Sequence, residues 1–186
     1  MLTTLAGASS VVLAHGGVET STQQGFAAGL LHPLTGADHL AAMLAVGMWS
    51  ALAMRPVWLA PLAFVVMLAA GATAGFAGLQ LPAVEPMVAA SLLVIGLLVA
   101  VRQTLSMASA GAIVGLFALF HGAAHGGELG GQEQWPALVG VLLSTAALHF
   151  GGVLVGRLVL LRHRWLPRAA GAAVALLGCA LLFQMT

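Results

Sequence analysis

Long apolar stretches separated by short polar breaks make up most of the chain. The breaks contain charged residues or proline and fall near residues 55–56, 81–86, 102–106, 126–136 and 162–167. They divide the chain into six apolar segments, near residues 30–53, 57–79, 86–101, 107–125, 136–157 and 167–184. Most are close to the roughly 20 residues that a helix needs to cross about 30 Å of hydrocarbon. The pattern therefore predicts an all-α, polytopic membrane protein with six transmembrane helices.

The composition agrees with a membrane protein in contact with the lipid bilayer. Of the 186 residues, 61% are hydrophobic and 6% are charged, whereas about 25% are charged in a typical soluble domain. The net charge is +1 and no basic run occurs, so nothing indicates a nucleic-acid partner. The single cysteine, Cys179, cannot form an internal disulfide, and its apolar surroundings predict a packed thiol.

The arginines predict the orientation in the membrane. All six lie in the first, third and fifth connections or beside them, at Arg55, Arg102, Arg157, Arg162, Arg164 and Arg168. The other connections contain Glu85, Glu128 and Glu133 without a basic residue. Because basic loops stay in the cytoplasm, the N-terminus and the acidic loops are predicted outside.

The first residues resemble a secretory signal. Residues 1–14 are apolar and end Val12-Leu13-Ala14, although a basic N-terminal region is missing. We expect a signal peptide at 1–14, a periplasmic N-terminal segment at 15–29 and a transmembrane domain at 30–186; a retained short segment is the alternative to cleavage. Cleavage would let His15 offer an amine and an imidazole to a metal, unless these residues form a disordered tail.

Ionisable residues open the first apolar segment, in the stretch His32-Pro33-Leu34-Thr35-Gly36-Ala37-Asp38-His39. Burying such groups in hydrocarbon costs several kcal/mol unless a partner or a metal satisfies them. On a regular helix, His32 and His39 would lie roughly 10 Å apart along the axis. We expect a helix to begin at Pro33 with His32 just outside it. Asp38 is either a metal ligand or an acceptor that fixes an imidazole tautomer.

A second group of candidate ligands closes the fourth segment. His121, His125 and Glu128 follow one another at spacings of four and three, so a continuing helix carries them on one face. Two histidines at i and i+4 can hold one divalent ion. Both groups are predicted at the outer leaflet. Imidazole and carboxylate without thiolate favour Ni²⁺, Co²⁺ or Zn²⁺ over Cu⁺.

A further histidine lies deeper, and glycines recur along the segments. His149 follows Pro136 by 13 residues, roughly 20 Å along a helix, which makes it an inner metal-binding residue or a structural hydrogen-bonding one. His163 is expected to be solvated in a basic loop. Pairs with small-xxx-small spacing predict close helix packing; they are Gly25/Gly29, Gly71/Gly75, Gly111/Gly115 and Gly152/Gly156. The arrangement of three segments followed by three hints at an inverted repeat.

The two motifs carry a family resemblance. The stretch from His32 to His39 resembles the His-Pro-x-x-Gly-x-Asp-His signature of the HupE/UreJ family of nickel/cobalt permeases, and Phe120–Glu128 resembles that family's second motif. The resemblance implies a multi-pass protein of the bacterial inner membrane, with nickel or cobalt as the transported ion and no resident cofactor. It assigns the metal-ion site to His32, Asp38, His39, His121, His125 and Glu128. Family members often have a richer histidine segment after the signal, where this chain has His15.

The resemblance favours a secondary permease or channel-like facilitator, which is not an enzyme. The absence of lysine excludes the P-loop of an ATPase. The rival from another class is an intramembrane zinc hydrolase, which would need three ligands, an open position and a general base. The sequence leaves open the choice between nickel and cobalt, proton coupling and a homo-oligomeric state.

Overall fold

The computed structural model describes residues 15–129, 131 and 133–185, with side chains from residue 22 onward. In this part of the chain the secondary structure is entirely helical: α1 His15–Thr35, α2 Ala37–Ala53, α3 Leu59–Phe76, α4 Val84–Val101, α5 Met107–Glu128, α6 Gln134–Leu158, a 3₁₀ turn Leu160–Arg162, and α7 Leu166–Gln184. The predicted signal peptide lies outside the described residues.

Five of the helices, α3 to α7, are long and apolar enough to cross a membrane. Helix α2 is also apolar but has 17 residues, and the predicted first segment combines it with the end of α1. The prediction of an all-α, multi-pass membrane protein is therefore confirmed. Residues 15–29, predicted as a periplasmic segment, are helical and form the larger part of α1.

The break between α1 and α2 lies at Gly36, so the prediction that a helix begins at Pro33 is wrong. Helix α1 includes both His32 and Pro33 and continues to Thr35. Proline removes one helical hydrogen bond, which a membrane helix tolerates where a neighbouring helix packs against it, and α1 packs against α6. Gly36 has extended dihedrals, φ −87° and ψ 115°, and its carbonyl accepts the N–H of Leu40.

Close approaches at glycine build the helix pairs. A Cβ on Gly29 would overlap the carbonyl oxygen of Ala137, so α1 contacts α6 without side chains between them. Three of the four predicted pairs lie at such contacts: Gly25/Gly29, Gly71/Gly75 and Gly152/Gly156. The prediction is wrong for Gly111, which has open space around it. Small-residue spacing identifies a smooth helix face but not whether a partner covers it.

The direction of each helix pair follows from the same contacts. Helices α2 and α6 run in the same direction, as do α3 and α5, because their contacts advance together: Leu44 with Gly152 and Ala51 with Gly156, then Met67 with Gly115 and Gly75 with Gly126. Helices α4 and α7 run in opposite directions, with Ala89 near Gly178 and Ala100 near Gly171.

The core lies between these pairs and holds the arginine-bearing end of the bundle together. Trp49 is fully buried, and its indole N–H donates to the carbonyl of Gln103 at 2.8 Å. The Ser50 hydroxyl donates to the carbonyl of Val57. Cys179 is exposed, so the prediction of a packed thiol is wrong. The reason is that α7 packs mainly against α4 and leaves its other face uncovered.

Candidate metal-ion site

The break at Gly36 brings together two imidazoles that a regular helix would separate by two turns. The ring centroids of His32, at the end of α1, and His39, at the start of α2, lie 6.2 Å apart. One extended residue changes the helix direction and lets both rings face the same space. His32 is 29% exposed and His39 is buried, so the pair leads from the surface into the bundle.

Asp38 orients the imidazole of His39. The Nδ1–H of His39 donates to Asp38 Oδ1 at 3.0 Å, and the same oxygen accepts the backbone N–H of His39 at 2.8 Å. With Nδ1 protonated, the lone pair lies on Nε2, the nitrogen that would bind a metal ion. Of the two roles open to Asp38 in the sequence, this geometry is that of the acceptor that fixes a tautomer.

Helix α5 contributes two fully buried imidazoles, one helical turn apart. The Nδ1–H of His121 donates to the carbonyl of Phe117 at 3.0 Å, which again directs an Nε2 lone pair away from its own helix. His125 makes no side-chain hydrogen bond with either nitrogen. Both side chains are inaccessible to solvent.

Unpartnered nitrogens concentrate in this region. Among the described residues, the buried side-chain nitrogens and oxygens without a hydrogen-bond partner are six imidazole nitrogens, on His39, His121, His125 and His149. A buried polar group left without a partner costs about 1–3 kcal/mol, so native proteins keep few of them. All of these nitrogens belong to histidine, a common ligand of divalent metals, so they are candidate metal-binding atoms.

The structure joins the two sequence motifs into one cluster. The ring centroid of His125 lies 5.0 Å from that of His32 and 4.6 Å from that of His39. The rings of His39 and His121 lie 5.2 Å apart. Four imidazoles from α1, α2 and α5 thus form a continuous series in which each ring touches the next.

Glu128 lies at the solvent-exposed end of this series. Its side chain is 55% exposed, and its Oε2 lies 2.7 Å from Nε2 of His32. His32, His125 and Glu128 each place one ligand atom within 4.8 Å of the other two. Two imidazoles and a carboxylate at this spacing can contract around one divalent ion.

Sequence reasoning did not include Glu85 among the site residues. It lies in the first turn of α4 and lines, with Asp38, His39 and Glu128, a cavity of about 240 Å³. A second cavity of about 550 Å³ shares Glu85 and Glu128. The sequence signal was an acidic residue in a connection without a basic residue. The approach of α4 to α2 and α5 brings Glu85 to the same cavity as the cluster.

His149 lies beyond the four-imidazole series, on α6. The ring of Phe64 separates it from His121, with centroid distances of 5.3 Å to His121 and 4.9 Å to His149. His149 is 1% exposed. The side chain of His15 lies outside the described side chains, and His163 is exposed in the loop before α7.

The sequence is similar to a known protein family and to a characterised relative over nearly its whole length. The sequence model of the family described as "HupE / UreJ protein" matches residues 3–181. "Protein HupE" of Rhizobium leguminosarum bv. viciae is 41% identical over 183 residues, covering 97% of this chain and 95% of the relative. No solved structure matches.

Proposed function

The chain belongs to the HupE/UreJ family, and from this premise we propose that it carries Ni²⁺, or Co²⁺, into the cell across the bacterial inner membrane as a secondary permease or channel-like facilitator. The metal ion is the transported substrate. The observation that carries the proposal is the buried series of imidazoles with unpartnered nitrogens, which opens to the surface between carboxylates.

The spacing of the rings suits transfer rather than retention. A transported ion must bind well enough to lose water but weakly enough to leave. Because the ring of His125 touches those of both His32 and His39, an ion held at the entrance can gain an inner imidazole before it releases an outer ligand. Glu85 and Glu128 would attract the hydrated cation to the entrance.

We propose six membrane crossings with the N-terminus outside. The first crossing would combine the end of α1 with α2. In a chain that crosses the membrane six times, odd-numbered crossings run in one direction and even-numbered crossings in the other. The first and fifth crossings are therefore parallel, the second and fourth are parallel, and the third and sixth are antiparallel. The same-direction pairs α2/α6 and α3/α5 and the opposed pair α4/α7 agree with this scheme, and all six arginines fall on one side.

An inverted repeat of three helices would explain a correspondence among the close contacts. In such a repeat, α2 corresponds to α5 and α3 corresponds to α6. The parallel pair α2/α6 then corresponds to the parallel pair α5/α3. Gly122 approaches the carbonyl of Leu68 as Gly47 approaches that of His149. The glycine pairs follow at equal spacing, Gly71/Gly75 on α3 and Gly152/Gly156 on α6.

The third helices of the two halves, α4 and α7, also fit this correspondence. Gly96 lies against the carbonyl of Gly171 and the N–H of Ala175; Gly171 lies against the carbonyl of Gly96 and the N–H of Ala100. The two halves of this contact are thus equivalent, as expected if the pseudo-two-fold axis of the repeat passes between α4 and α7.

A zinc hydrolase would also use a three-ligand set such as His32, His125 and Glu128. Two observations favour a permease. The candidate ligands continue inward to His39 and His121, where an enzyme would need none, and those deeper nitrogens also lack partners. The ring contacts connect them to the entrance without a gap.

Uptake of ⁶³Ni by cells that express the protein tests this function. We expect accumulation at low external nickel that exceeds that of vector-only cells, and loss of most of it in His39→Ala and His125→Ala. His163→Ala is the matched control, because it removes an exposed loop imidazole and should keep wild-type uptake. Equal accumulation by vector and protein, with the protein present in the membrane, would refute the proposal.

A further inference from the structure

His149 is the least explained polar residue of the bundle. It is 1% exposed on α6, and neither ring nitrogen has a hydrogen-bond partner. Packing does not require an imidazole at this place. The corresponding contact of the α3/α5 pair, where Gly122 meets the carbonyl of Leu68, has a fully buried leucine instead. An unpartnered imidazole is costlier there than leucine, which points to a role beyond packing.

The position of His149 continues the line of the four outer imidazoles. Phe64 of α3 stands between His121 and His149 and contacts both rings edge-on, with interplanar angles of 60° and 74°. The aromatic ring separates the buried nitrogens of α5 from those of α6. An aromatic face attracts cations, so the ring of Phe64 offers a favourable surface between the two imidazoles.

A groove of about 450 Å³ between α3 and α6 adjoins His149. It is open and almost wholly apolar, and the exposed side chains of Trp58, Leu62 and Phe150 are on its walls. Arg157, at the basic end of α6, is the one charged side chain on its described lining. On the described lining of this groove, His149 has the one side chain that can bind a divalent cation.

Resting on the proposed function, we propose that His149 is an inner binding residue for the transported divalent cation, reached past Phe64 and separate from the outer site. The imidazole supplies one nitrogen ligand, and water supplies the remainder. The outer cluster then determines how tightly the ion is captured from outside. His149 determines the rate at which a captured ion moves from that cluster towards the cytoplasmic side.

The test compares binding and flux in purified protein. Wild type, His149→Leu and His149→Gln are reconstituted in lipid vesicles, with influx of ⁶³Ni measured over a nickel series and Ni²⁺ binding measured in nanodiscs. We expect both variants to bind Ni²⁺ with nearly wild-type affinity at the outer site and to lose about tenfold or more of the maximal flux, as metal-site substitutions commonly do. His163→Ala should match wild type in both assays.

The outcomes separate this inference from the proposed function. Wild-type maximal flux in either folded His149 variant would overturn the inner site while leaving the permease intact. Absence of nickel flux in wild-type vesicles would overturn the proposed function itself. A purely structural role would lower the thermal unfolding temperature and the outer-site affinity together with flux, and that pattern would also refute the inference. His149→Gln keeps a polar side chain, so a folding defect in His149→Leu does not decide the matter.

Discussion

Oδ1 of Asp38 lies 3.0 Å from Nδ1 of His39, the residue that follows it in the chain. The contact fixes one tautomer and leaves the buried Nε2 of His39 without a hydrogen-bond partner. The rings of His121 and His125 lie against the same imidazole. One carboxylate thereby orients the ring that joins the two sequence motifs.

Removing Asp38 should weaken the site through His39. We expect Asp38→Ala to lose most nickel uptake at low external metal, by about 10- to 100-fold, because the ring loses its tautomer and orientation. Asp38→Asn keeps an acceptor oxygen and should retain more uptake than Asp38→Ala. Uptake curves for both variants, normalised to membrane abundance, measure the effect; equal and undiminished uptake would contradict the orienting role.

Removing either imidazole beside the Gly36 break should have a similar effect. His32→Ala and His39→Ala should each abolish most uptake at limiting nickel while the protein still reaches the membrane, because each removes a candidate ligand. Immunoblots of membrane fractions alongside ⁶³Ni uptake provide the check. Normal uptake in both variants and in Asp38→Ala would refute the assignment of this motif.

The two motifs should behave as one site in combination. His121→Ala and His125→Ala should lower flux at saturating as well as limiting nickel. Adding His39→Ala to either should cause little further loss, because contacting residues of one route are not additive. A full nickel series for single and double variants tests this, and losses that multiply independently would indicate two separate sites.

The glycine contacts predict a difference between two alanine substitutions. Gly152→Ala places a Cβ against the carbonyl of Leu44, whereas Gly111→Ala meets open space. Overpacking at a close contact costs about 1–3 kcal/mol. Thermal unfolding in detergent should therefore show a lower midpoint for Gly152→Ala, and no decrease for Gly111→Ala. Equal midpoints would contradict the close approach of α2 and α6.

The predicted orientation can be tested with cysteine labelling on a Cys179→Ala background. The arginine distribution places position 132 outside and position 163 inside. A cysteine replacing Gln132 should react with an impermeant reagent added to intact cells, and one replacing His163 should react only after permeabilisation. The reverse labelling pattern would overturn the orientation.

The apolar segments and the two histidine motifs could be identified from the sequence, because hydrophobic length and ionisable residues in hydrocarbon are local signals. The meeting of His39 with His125 was not, since it depends on how α2 packs near α5. The position of the helix break was misjudged because Pro33 gave the stronger local signal, whereas the packing of α1 on α6 carries the helix on to Gly36. Glu85 could not be assigned to the site from the sequence either, because its position beside the cluster depends on how α4 packs near α2 and α5.

Nickel influx into vesicles containing the purified protein tests the central claim most directly. With no other protein present, wild type should admit ⁶³Ni down its gradient at a rate that saturates with concentration. His125→Ala, which removes the imidazole between the entrance and the inner rings, should reduce that rate to near the level of protein-free vesicles, while His163→Ala should match wild type. Influx in His125→Ala equal to wild type, or none in wild type, would contradict a metal route through the buried imidazoles.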